Sequence, residues 1–327
     1  MRKPGAQALL SQSFPFLAVV VFNKFVDIQA DTTLMKTLKH LLAPFLITLL
    51  AQPLDVAADH QNQPSFSITH YRLALDLDFQ QEQIDGQATL AVTPTDEPID
   101  TLPLSLLDYQ VDSVKVRNQG RIPYQYNDTS LTLLPDRTLT PADTTAITVF
   151  YQGGTPLDPT GWGGFYFRQD FAFNLGVGFG AKPHNFGRAW FPCLDNFTDR
   201  ATYDFHITAP AGKKAFCNGR LQGVEKASDN RKTWHWQLND PIPTYLASVA
   251  VGPYATVRDQ YQGTSDTFPI TYAVKPADSA QLKKGFREIH GALDVFTDFY
   301  GTQPFSRVGY ALIPFRGGAM EHATNIA

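Results

Sequence analysis

The 327-residue chain is read as mainly β, its body a sandwich or an open, saddle-shaped sheet. Two observations predict this. From Ser65 to about Val257, short segments alternate apolar and polar side chains, and no helical pattern intervenes. Pro and Gly, 23 of each, punctuate most of the gaps.

The elements follow in order. Tyr71–Asp78 and Gly86–Val92 alternate cleanly and predict a hairpin or meander pair. Val111–Val116, Ser130–Leu134, Thr145–Tyr151, Thr202–Thr208, Lys232–Leu238 and Leu246–Val251 continue the series. The pattern then changes. Leu282, Phe286, Ile289, Leu293, Phe296 and Tyr300 fall three or four residues apart, which predicts one amphipathic helix over Asp278–Tyr300. Asp278 or Ser279 would cap its start and Gly301 its end. Val308–Pro314 reads as a buried strand, followed by Gly317-Gly318. The chain ends at Ala327 inside a sheet that should continue, so a truncated second domain is expected.

Bulk composition narrows the function. Hydrophobic residues make up 43% and charged residues 18%, an ordinary globular balance. A net charge of -4 gives no basic stripe for nucleic acid, and polyanions are not expected partners. The eight histidines include no pair four residues apart, so H-E-x-x-H is absent, and no metal is expected on this chain. G-x-S-x-G and phosphate-binding glycine loops are absent too. Cys193 and Cys217 form no C-x-x-C. They read as buried free thiols, or as one disulfide in an oxidising compartment.

Residues 1–63 read as a leader outside the fold. Arg2 and Lys3 precede the apolar run Phe14–Phe22, and Lys36, Lys39 and His40 precede Leu41–Leu50. Each run is shorter than the ~20 residues a membrane span needs. The second run, followed by Val56-Ala57-Ala58, has the anatomy of a signal peptide over 35–58. Residues 1–34 would then be an over-extended start at an upstream Met; one long leader and a membrane anchor are the alternatives. The expectation is export, to the periplasm, the cell envelope or the medium, with no stable membrane span once the leader is removed.

Three segments, in order, carry a resemblance. The first is Arg188-Ala189-Trp190-Phe191-Pro192-Cys193-Leu194-Asp195, followed by Arg200-Ala201-Thr202-Tyr203. The second is Pro243-Thr244-Tyr245-Leu246, continuing to Val251-Gly252. The third is Gly317-Gly318-Ala319-Met320-Glu321-His322. Together, over residues 65–327, they resemble the aminopeptidase N family of zinc metallopeptidases, the third being similar to that family's G-A-M-E-N motif. The resemblance implies a β-domain over 64–260 and the incomplete start of an α+β, thermolysin-like catalytic domain over 261–327. It implies a hydrolase whose zinc, ligands and general base lie beyond Ala327, so that this chain alone would be inactive. It implies peptide substrates with a free N-terminus. Substrate-binding residues carry over to Gly318, Ala319, Met320, Glu321 and His322: the Glu321 carboxylate would pair with the substrate ammonium, and the glycine-rich backbone would run beside the peptide as an added strand. A non-catalytic β-domain that binds proteins is the alternative within the same family.

The chain departs from the family at two places. His322 stands where the family has Asn; it can also donate a hydrogen bond, but its pH response differs. Gly180–Gly187 lacks the family's second acidic or amide anchor for the amine, with His184 or Asn185 as candidate substitutes. Arg188 and Asp195 are read as bracing a turn, and Trp190 and Phe191 as apolar anchors.

Overall fold

The computed structural model describes residues 64–327, apart from Asn118 and Ser265. The leader over 1–63, including the signal-peptide reading at 35–58, lies outside the described residues. Residues 64–327 form one compact unit. The strands are, in order, Phe66–Asp78 (β1), Gln83–Pro94 (β2), Leu102–Ser105 (β3), Gln110–Val116 (β4), Gly120–Ile122 (β5), Tyr124–Tyr126 (β6), Ser130–Leu133 (β7), Thr145–Gly154 (β8), Gly164–Arg168 (β9) and Phe171–Leu175 (β10). Then follow Ala201–Ala209 (β11), Lys214–Cys217 (β12), Arg220–Lys226 (β13), Lys232–Ile242 (β14), Val249–Gly252 (β15), Ala255–Gln262 (β16), Thr267–Val274 (β17) and Val308–Ala311 (β18).

The mainly β class is what the structure shows. Among the described residues, the largest sheet has eight strands in the order β13-β14-β11-β1-β2-β8-β4-β5. β1 and β2 pair antiparallel as their alternation predicts, with a bulge between Ile68 and His70, whereas β1 and β11 pair in parallel. A four-stranded sheet, β12-β15-β10-β9, packs in the same core as the inner face of the large sheet. Tyr71, Tyr151, Tyr203, Phe173, Trp190 and Phe191 are fully buried there. β10 escapes the alternation test because all five of its residues are buried, which gives an apolar run without a period.

A smaller sheet, β16-β17-β18, has its own core of Tyr261, Phe268, Ile270, Tyr272, Val274, Leu282 and Val308. The boundary drawn at 260/261 falls inside β16. The single helix expected over Asp278–Tyr300 is interrupted: Leu282–Gly285 (α1) and Ile289–Tyr300 (α2) flank a break at Phe286–Glu288. Gly285 closes α1, where glycine propensity is poor. Gly301 ends α2 at φ 86°, and its N–H donates to Thr297 O at 2.9 Å. Leu282 is buried as predicted, but Phe296 and Tyr300, assigned to the same face, are 59% and 84% exposed. Phe286, Ile289 and Leu293 of that face still pack against the small sheet's core, so the face leaves the sheet only toward the end of α2. β18 spans only Val308–Ala311; Pro314 lies in irregular backbone beyond it. No described helix is long and apolar enough to cross a membrane.

Candidate functional site

After β18 the chain runs through Pro314 and Phe315 to the Gly317–His322 segment, then folds back. Met320 and Ala327 exchange two backbone hydrogen bonds, at 2.8 and 3.0 Å. Ile326 N–H donates to Gly309 O and Ile326 O accepts from Ala311 N–H, so the returning segment lies along β18. The turn between them is fixed to the β-domain. Gly219 N–H donates to Thr324 Oγ1 at 2.7 Å, Asn218 Nδ2 donates to Ala323 O at 2.5 Å, and Asn325 Nδ2 donates to Ser248 Oγ at 2.8 Å. The second sequence segment, through Ser248, is thus bonded to the turn that follows the third.

Within the segment, alternate residues face opposite ways. Met320 and His322 are each 1% exposed, whereas Gly318, Ala319 and Glu321 are exposed. Among the described residues Glu321 has no hydrogen-bond or ion-pair partner. Its charge is felt by Tyr245 of the second segment, whose phenol pKa is raised first by burial and then by Glu321, against the opposing effect of Arg200. Phe197 packs edge-on to Tyr245, with ring centres 5.2 Å apart. Gly318 has φ 139°, and a Cβ there would lie 3.1 Å from the Trp162 ring, so a side chain would meet both strain and a wall. Trp162 stacks on the exposed Phe179 and meets Phe315 edge-on. A cavity of about 880 Å³ opens beside Gly318 and Ala319, with Arg168, Lys275 and Arg316 also in its wall.

His322 packs inward. Asn174 Nδ2 donates to Ala247 O at 2.9 Å and lies 3.4 Å from His322 Nε2, so that ring nitrogen faces a donor and must be the acceptor. Burial lowers the imidazole pKa to about 3, which keeps the ring neutral. Met320 belongs to the main core. Of the five sequence candidates, then, three are open to solvent and two are covered.

His184 Nδ1 lies 3.1 Å from Gly178 O, and Asn185 is fully buried with neither amide atom bonded among the described residues. Neither is bonded to Glu321. The first segment is a brace. Asp195 is fully covered and accepts from Arg188 Nη1 at 2.9 Å and from the Gly187 and Arg188 N–H groups. It also accepts from Thr244 Oγ1 at 2.7 Å, which ties the first segment to the second. The sequence reading found the Arg188–Asp195 pair but not Thr244, because nothing local marks a hydroxyl 49 residues away as a partner. Cys193 and Cys217 are free and buried, and burial raises both thiol pKa values.

Among the described residues no group of three or more His, Cys, Asp or Glu side chains is placed to hold a metal ion. These residues therefore do not fit the zinc that the family resemblance implies, and no step through zinc is derived for them.

The mainly β body carries the braced Arg188–Asp195 turn. Residues 67–246 match the Peptidase M1 N-terminal domain, and the chain belongs to that family. It is 27% identical over 128 residues to Aminopeptidase N of Streptomyces lividans, covering 38% of this chain and 14% of that one. It is 29% identical over 124 residues to Transcription initiation factor TFIID subunit 2 of Drosophila melanogaster, covering 37% and 10%. The chain thus matches only a small part of the length of these relatives. The structure is similar to the M1 zinc metallopeptidase of Deinococcus radiodurans, with TM-score 0.70 and 25% identity over 81% of this chain and 60% of that one.

Proposed function

We propose that this chain supplies the β-domain and the amine-recognition segment of an exported, zinc-dependent aminopeptidase that removes N-terminal residues from peptides. Glu321 carries the reading. It is an exposed carboxylate without a partner among the described residues, held between two buried residues on a segment bonded to the rest of the fold. A protonated amino terminus is the natural counter-charge for such a group, and a charge-assisted hydrogen bond would fix the distance from the amine to the first peptide bond. Gly318 and Ala319 have no bulky side chain on the exposed edge, so a peptide backbone can approach them closely. Met320 and His322, both named from the motif, act beneath that edge by holding Glu321 outward. The described residues supply no zinc site, so hydrolysis is assigned to the protein that also contains the family's metal-binding part, and this chain alone is expected to be inactive. Export rests on the leader pattern over 35–58.

The test compares leucine amide with N-acetyl-leucine amide as ligands of the purified chain by NMR titration, alongside zinc analysis and an aminopeptidase assay. Binding of the free amine alone, lost in Glu321→Gln, supports the reading. Equal binding of both ligands, or an unchanged Glu321→Gln variant, refutes it. The second reading is a non-catalytic, protein-binding β-domain, favoured by the similarity to a protein named as a transcription factor subunit. It predicts no discrimination between the two amides.

A further inference from the structure

A second cavity, of about 510 Å³, lies away from Glu321 where β12, β13 and β14 meet β16 and β17. Its wall holds four cations, Lys214, Arg220, Arg258 and Arg307, and no aspartate or glutamate. The nearby acids face elsewhere: Asp259 turns to His290 on the helix side of its sheet, and Glu225 acts on His206 on the outer face of the large sheet.

Three of the four cations are bonded to neutral groups. Arg307 donates through Nη2 to Cys217 O at 2.6 Å and through Nε to Gly219 O. Arg220 donates to Ser306 O at 3.1 Å, and Lys214 Nζ lies 3.4 Å from Thr256 Oγ1. Arg307 is only 4% exposed, with its guanidinium 5.0 Å from the Trp236 ring centre. A buried guanidinium without a carboxylate is costly, and burial pulls its pKa down to about 10. Arg307 Nη1, packed against Gly309, and Trp234 Nε1 are covered and have no acceptor among the described residues. The wall is therefore rich in positive charge and carries no carboxylate. The complementary ligand is one with several acceptor oxygens and more than one negative charge, which guanidinium forks bind well. The volume suits a small molecule.

The geometry points to a binding site for a small multivalent oxyanion of the phosphate-ester class, held by Lys214, Arg220 and Arg258, with the Arg307 charge behind them and Trp234 on its wall. The site is independent of the amine-recognition reading. The chain's net negative charge concealed it, since its cations come from segments as far apart as residues 214 and 307.

The experiment titrates the purified chain with inorganic pyrophosphate at constant ionic strength, following tryptophan fluorescence and thermal stability. Arg220 and Arg258 are exposed, so an Arg220→Gln/Arg258→Gln variant should keep the fold, which its melting temperature without ligand reports. Saturable binding, weakened at least ~10-fold in that variant, supports the site. Arg121→Gln on β5 is the control and should bind as the parent does. If the double variant melts early, Arg258→Gln alone replaces it, with a loss of several-fold expected, and Trp234→Phe should remove most of the fluorescence change. The proposal is overturned by an absence of saturation up to about 10 mM, or by equal weakening in Arg121→Gln and Arg258→Gln.

Discussion

Acidification is the sharpest probe of how the Glu321 segment is seated. His322 is neutral in the folded protein, with a pKa lowered from 6.5 to about 3 by burial. As pH falls below 6.5 the unfolded chain takes up a proton that the folded chain refuses, so stability is lost between about pH 6.5 and pH 3. At pH 5 the unfolded imidazole lies about 1.5 units below its pKa, and at ~1.36 kcal/mol per unit the loss relative to pH 7 is about 2 kcal/mol. For a unit of this size that is roughly a 4–8 °C fall in Tm. Other groups also titrate, among them Asp199, whose pKa burial raises, so the quantity to measure is a difference. Denaturant unfolding of the parent and of His322→Asn at pH 7 and pH 5 gives it. Asn keeps a buried amide but has no titrating group, so the parent should lose about 2 kcal/mol more than the variant. A parent and variant that lose equal stability would mean that His322 is not held buried and neutral, and the inward seating of the segment would fail with it.

Four further outcomes follow from the same structure. Asp195→Ala leaves the Arg188 guanidinium and Thr244 without their shared acceptor, and should cost about 3–5 kcal/mol in denaturant unfolding; a loss below about 1 kcal/mol would deny Asp195 its role as the brace. Glu321→Gln removes an exposed, unpaired charge, so stability should stay within ~0.5 kcal/mol while affinity for free-amine ligands falls about 10- to 100-fold. Trp190→Ala should cost about 3–5 kcal/mol, since the indole is fully buried at the centre of the main core; circular dichroism melts will show it. Cys193 and Cys217 should resist a thiol reagent in the native protein and react only after unfolding, because both are buried with raised pKa values.

Some of this was legible in the residues themselves. Alternation in β1, β2, β8 and β11 is a local property, because each pleat buries every second side chain, and it was enough to predict a mainly β body. Gly301 as the end of a helix, and Arg188 with Asp195 as a brace, are also short-range facts. The resemblance of the segment to the family's G-A-M-E-N motif singled out Gly318, Ala319, Met320, Glu321 and His322 together. Only the tertiary structure decided which of them face out, since that depends on where β12, β15 and Asn174 lie beneath the segment. It decided, too, that Thr244 completes the Asp195 site, that the expected helix is interrupted, and that its last apolar residues, Phe296 and Tyr300, stay exposed. It gathered Lys214, Arg220, Arg258 and Arg307 around one cavity. Contacts of that kind are set by how strands distant in sequence pack against one another, and neither composition nor period encodes the packing.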